Sequence, residues 1–117
     1  MGTLIAVGYP VAKGQEDRAR NFEKELDEQG LRGDYEELNR KGTVTRHLRY
    51  YEPTPMGDLV LDIMECEDPT KVGRAFTDSK YDQWWLDYLR DVHTLDIRNI
   101  PPEQMPSPPS VVYEWKA

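Results

Sequence analysis

The spacing of apolar positions changes several times along the chain, and each change marks an element. Thr3 to Tyr9 alternates Ile5, Val7 and Tyr9 with Leu4, Ala6 and Gly8, apolar or small on both sides, which predicts a central strand ended by Pro10. From Gly14 to Gln29 the period becomes helical. Ala19, Phe22 and Leu26 share one side, Glu16 and Asp17 occupy the first turn, and Gly30 supplies the stop. Asp34 stands three residues before Glu37 and is followed by Tyr35, Leu38 and Gly42, which predicts a short inserted helix.

Val44 to Glu52 then alternates Val44, Arg46, Leu48 and Tyr50 with Thr45, His47, Arg49 and Tyr51, and Leu59 to Glu65 alternates Leu59, Leu61 and Ile63 with Val60, Asp62 and Met64. The Pro- and Gly-containing segment 53–58 between them makes these two strands an antiparallel hairpin. Asp68-Pro69 opens a helical stretch that runs to Thr77 and breaks at Asp78-Ser79. Helical spacing resumes at Lys80 with Tyr81, Trp84, Trp85, Tyr88, Leu89 and Val92, the strongest periodicity in the chain. A proline-rich irregular segment, 100–110, leads to a terminal strand over Val111 to Trp115 that needs a slot beside the hairpin or across a dimer interface.

This order predicts an α+β protein: one ferredoxin-like domain over 1–117, a β-α-β-β-α-β sandwich with a short inserted helix. A chain of 117 residues can fold alone, yet still gains from burying more surface by association, so a homodimer is expected.

Charge narrows the partners. The formal net charge is −7 and the isoelectric point about 4.8, a field that repels phosphate backbones and anionic bilayers, so neither nucleic acid nor membrane is expected. The single cysteine, Cys66, excludes an intramolecular disulfide and a thiolate metal cluster. A start without a basic segment ahead of its short apolar run suggests a cytoplasmic protein.

Several local runs carry a resemblance: Thr54-Pro55-Met56-Gly57-Asp58 before an apolar strand, Glu67-Asp68-Pro69, Tyr81-Asp82-Gln83-Trp84-Trp85, Val92-His93-Thr94-Leu95-Asp96, the proline run, and the closing Glu114-Trp115-Lys116-Ala117. In these the second half resembles a family of small bacterial proteins without assigned activity in the dimeric α/β-barrel superfamily, distantly like antibiotic-biosynthesis monooxygenases; the first half matches in layout only. One position departs, since Thr94 stands where glycine is usual. The resemblance implies a dimeric α/β barrel in which one face of each sheet lies under its own helices and the other meets a cavity shared with, or closed by, the partner.

That geometry gives meaning to polar residues inside strands. Arg46, His47, Arg49, Tyr51 and Asp62 would each cost several kcal/mol if buried as unpaired charges or dipoles, but a wet cavity tolerates them. His47 and Tyr51 share a strand face and could form an acid/base pair, while His93 at a helix end is either a base or a residue bonded to a carbonyl. Asp62 is either outward on an edge strand or a pocket carboxylate opposite Arg46 or Arg49. Neighbours on a helix diverge by about 100°, so one of Trp84 and Trp85 leaves the core and walls a pocket, with Tyr81, or enters an interface.

The sequence thus predicts a cofactor-independent enzyme acting on a small, partly apolar molecule by oxygenation, cyclisation, isomerisation or lyase chemistry. His47 or His93 would be the base, Tyr51 or Asp62 its partner, and Arg46 or Arg49 the stabiliser of an oxyanion. Trp84, Trp85 and Tyr81 would line the substrate. The alternative is a non-catalytic dimeric module that binds a ligand or supports a partner protein. No metal is expected, and haem held by either histidine is a further alternative.

Overall fold

The alternating runs form three strands in a computed structural model that describes residues 2–75, 78–104 and 110–117. Strand β1 is Thr3–Pro10, β2 is Val44–Glu52 and β3 is Leu59–Cys66. They make one antiparallel sheet in the order β1-β3-β2. The hairpin strand β3 is therefore the central one. β1 pairs only with β3 among the described residues, so its doubly apolar pattern marks an edge with one uncovered face, not the central position expected of it.

The first helical stretch is split. Helix α1 (Glu16–Arg20) and helix α2 (Phe22–Glu28) meet at Asn21, whose backbone leaves the helical region at φ −101° and ψ 29°; Asn competes for its own backbone hydrogen bonds and is a poor interior helix residue. Gly30, at φ 69°, ends α2 as its type suggests. The inserted helix α3 (Arg32–Lys41) starts two residues ahead of Asp34. Helix α4 is Thr70–Arg74, and the remainder of the stretch expected to reach Thr77 lies outside the described residues. Helix α5 (Lys80–His93) is capped by the Ser79 hydroxyl, which accepts from the Asp82 amide at 3.2 Å.

The helices cover one face of the sheet. Ala19, Val60, Tyr88 and Val92 make one buried cluster and Leu26, Leu31 and Tyr81 another, with Phe22, Trp84 and Trp85 packed against both. The wide aromatic face of α5 is what holds these two clusters together. Among the described residues no helix is long and apolar enough to cross a membrane.

Residues 111–115 form no strand. Val111, Val112, Tyr113 and Trp115 are exposed, and this segment pairs with none of β1, β2 or β3. Alternating pattern alone does not make a strand, because the backbone needs an edge to bond to. Preceding residues 102–104 form a turn of 3₁₀ helix, and the proline run at 105–109 lies outside the described residues.

Candidate functional site

Strand alternation points His47, Arg49 and Tyr51 of β2 and Val60, Asp62 and Met64 of β3 toward the helices. The register sets Asp62 between Val7 on one side and Arg49 on the other, so its carboxylate sits at the middle of the covered face, 5% exposed. A carboxylate there needs partners for both oxygens. His47 Nε2 lies 3.1 Å from Oδ1, and Arg49 donates to Oδ2 at 2.9 Å.

The chain of bonds continues at both ends. Tyr35, from α3, places its hydroxyl 2.5 Å from His47 Nδ1. A carboxylate only accepts, so His47 Nε2 carries a hydrogen toward Asp62; in the neutral ring Nδ1 is then the acceptor and the Tyr35 hydroxyl donates to it. Burial raises the Tyr35 pKa, partly opposed by its contact with Asn39, which keeps the phenol protonated. At the other end Arg49 donates to His93 Nε2 at 2.7 Å, and His93 Nδ1 donates to the Pro10 carbonyl at 2.7 Å. An arginine cannot accept and a carbonyl cannot donate, so His93 is fixed as one neutral tautomer. Burial, with Arg49 beside it, pulls its pKa down to about 4.

Aromatic rings enclose this chain. The Arg49 guanidinium lies 4.8 Å from the centre of Phe22 and 5.5 Å from that of Tyr88, a desolvated cation–π arrangement. Tyr9 stacks on His93 at 4.9 Å. Burial, reinforced by Asp62, pushes the Tyr9 hydroxyl up to about 12.

Two cavities meet at the relay. The inner one, about 190 Å³, lies between sheet and helices, and its walls include Val7, Tyr9, Tyr81, Trp85, Asp62 and Met64. The outer one, about 260 Å³, opens beside β2, with Arg20, Arg32, Arg49, Glu23 and Tyr51 around it. Phe22, Tyr35 and His47 line both. A phenol, an imidazole and a carboxylate bonded in series beside two half-open cavities form a unit that can pass a proton to or from a bound molecule.

Of the residues singled out from sequence, the structure gathers His47, Asp62, Arg49, Tyr81 and Trp85 around this space and leaves others elsewhere. Arg46 faces the opposite side of the sheet, across from Glu65 and in solvent, because it lies one residue out of phase with His47. Tyr51 borders the outer cavity, but its hydroxyl is held by Asp58 in the hairpin turn, so the phenol at His47 is Tyr35 instead. His93 is 1% exposed, lines neither cavity and has both nitrogens engaged, so it supports Arg49 and is not placed as a base. Trp84 leans on Phe22, Tyr81 and Tyr88 and donates to Glu25 at 3.3 Å, away from the cavities.

Both nitrogens of each histidine are already engaged. Ligating haem through His47 would displace Tyr35 or Asp62, and through His93 would displace Arg49 or the Pro10 carbonyl. Among the described residues no group of three or more His, Cys, Asp or Glu could hold a metal ion.

Tyr35 is the functional candidate that sequence reasoning missed. It belongs to an inserted helix, twelve residues from its partner, and looked like an ordinary apolar anchor. The sole signal was an aromatic carrying a hydroxyl on a helix just ahead of a strand that carries a histidine.

Fold and site together define the class: an α+β protein whose three-stranded antiparallel sheet buries a Tyr–His–Asp–Arg chain beneath its helices. The chain matches no protein-family model, and comparison with curated proteins and with solved structures finds no significant similarity.

Proposed function

We propose that the protein is a cofactor-independent proton-transfer enzyme, of isomerase or lyase type, acting on a small and largely apolar molecule. The observation that carries this reading is the Tyr35–His47–Asp62 chain bordering both cavities. Tyr35 is the group that meets the substrate. Its proton passes to His47 Nδ1 as Tyr35 Oη takes one from a substrate C–H, and the C–H electron pair stays on the substrate as an enolate. The imidazolium so formed is stabilised by Asp62, and the pair Asp62 and Arg49 keeps its net charge throughout. Return of the proton at a neighbouring atom completes an isomerisation.

The assembly we propose is a homodimeric α/β barrel of ferredoxin-like units. The order β1-β3-β2 with helices on one face is that of a β-α-β-β-α-β unit without its last strand. Its uncovered face is largely apolar: Leu4, Tyr50, Leu59 and Leu61 are all exposed there. A second copy of the chain would bury that face.

The test uses small aryl ketones as carbon acids in deuterated water, with loss of the α-proton signal followed by NMR. We expect exchange above the buffer rate, falling by about 10²-fold or more in His47→Gln and Tyr35→Phe. Exchange no faster than buffer across the panel, or kept in full by both variants, would defeat the enzyme reading; ligand binding without exchange would favour the dimeric binding module.

A further inference from the structure

The outer cavity has a chemistry of its own. Arg20, Arg32 and Arg49 line it against one carboxylate, Glu23, in a chain whose net charge is −7. Each of these arginines also has a carboxylate within 4 Å, so the cavity is not a free positive patch and recognition of an anion rests on the nitrogens left without an acceptor. Arg32 is already committed to Asp27 at 2.8 Å and Glu23 at 3.1 Å. Arg20 lies over the Tyr51 ring at 4.3 Å and reaches Asp17 only at 3.6 Å.

Arg49 is different from both. Two of its nitrogens are used, by Asp62 and by His93, while its buried Nε makes no hydrogen bond among the described residues and lies in a guanidinium packed against the Phe22 and Tyr88 rings. A buried N–H of a charged group without an acceptor is costly, and an acceptor brought to it lowers that cost. The inner cavity supplies the other half of the recognition. Its walls are mainly aromatic and aliphatic, and its size is close to that of cavities that take a single benzene ring, about 150 Å³.

We infer that the two cavities are one bipartite site for a small ring-bearing carboxylate: the ring lies in the inner compartment, the carboxylate is bound by Arg49 with Arg20 beside it, and the Tyr35–His47 pair stands at the threshold. This rests on the proton-transfer reading for its functional meaning and narrows the substrate to a ring-bearing acid with an acidic C–H. Arg49 is a binding residue here, and Arg20 sets the preference for an anion at the rim.

The test varies the ligand, because Arg49→Gln removes the partner of a buried carboxylate and can unfold the protein. Benzoate, benzamide and acetate are titrated into the full chain, with the ¹⁵N resonance of the Arg49 Nε–H as reporter. Benzoate should bind at least about tenfold more tightly than benzamide, which lacks the charge, and than acetate, which lacks the ring, and should move the Arg49 resonance. Arg20→Gln should weaken benzoate about threefold and leave benzamide unchanged. Equal affinity for benzoate and benzamide, equal affinity for benzoate and acetate, or no binding of any of the three overturns the inference. The two readings fail separately. Selective benzoate binding with no exchange activity leaves an anion site without catalysis, whereas exchange on neutral ketones without benzoate binding leaves the relay and removes the anion site.

Discussion

Each face of this sheet departs from the usual arrangement at its centre. Beneath the helices, where apolar side chains ordinarily go, lie Asp62, Arg49 and His47; on the open side, where polar ones ordinarily go, lie Leu4, Leu59, Leu61 and Tyr50. Adjacent residues of β3 show the contrast at its sharpest, since Asp62 is buried and Leu61 exposed. Burying an ion pair is seldom the most stable choice, for a well-packed apolar replacement of the whole set often does better. The buried ionic set is what the proposed site rests on, and the apolar open face is what the proposed dimer rests on.

The largest effect should follow from breaking the covered face. Asp62→Leu removes the carboxylate that pairs Arg49 and orients His47, leaving a buried guanidinium without its counter-ion. Urea denaturation should show a loss of about 3–5 kcal/mol. A loss below about 1 kcal/mol would mean that water reaches Arg49 freely and that this face is not a dry interior.

Next in size is a pH effect at the far end of the same chain. His93 is buried and neutral with its pKa at about 4, while in the unfolded chain it titrates near 6.5. Between those values the unfolded state binds the extra proton, so the contribution of His93 is complete above about pH 6.5 and is lost as pH falls toward 4, by about 3 kcal/mol in all. Arg49 opposes its charging, Asp62 favours it, and Tyr9 and Tyr88 flank the ring. His93→Gln can keep a donor and an acceptor without titrating. Its stability, measured against the wild type from pH 7 to pH 4, should fall less steeply; parallel slopes would show that His93 gains its proton in the folded state.

A smaller effect, at the residue after His93, tests whether local strain contributes to the contrast. Thr94 caps α5 in the left-handed region at φ 57° and ψ 24°, where a β-branched side chain is strained. Its amide and that of Leu95 both close onto the Leu89 carbonyl, the position at which helices favour glycine. Thr94→Gly should stabilise the fold by about 1 kcal/mol in thermal unfolding, since it relieves strain and touches neither face. Destabilisation instead would show that the Thr94 hydroxyl bond to the His93 carbonyl outweighs the strain and helps to set His93.

How much of this was legible in the sequence depends on range. The strands β2 and β3, the start of α5 at Ser79 and the shared direction of His47, Arg49 and Tyr51 follow from period and capping, which are local. Which arginine meets Asp62 depends on register, and register depends on how the hairpin closes, so Arg46 and Arg49 could not be told apart beforehand. The Tyr35–His47 contact and the edge position of β1 are tertiary facts that no window of residues contains. The terminal run 111–115 fails for the same reason, because its alternation is real but it pairs with no strand among the described residues.

The smallest expected change in fold stability is the one that separates the two faces most cleanly. Leu61 neighbours Asp62 on β3 yet points to the open side, paired across the strands with Gly8 and Tyr50. Leu61→Glu should shift unfolding of dilute protein by no more than about 0.5 kcal/mol, because an exposed side chain is exchanged for a solvated one. At tens of micromolar the wild type should elute with the mass of a dimer in light scattering and the variant with that of a monomer, because a charge at the centre of an apolar interface cannot be buried unpaired. A monomeric wild type would remove the partner from the open face, and a variant that unfolds would show that this face is interior after all. A dimer that dissolves while the fold holds would mean that one strand, by parity alone, serves a site on one side and an assembly on the other.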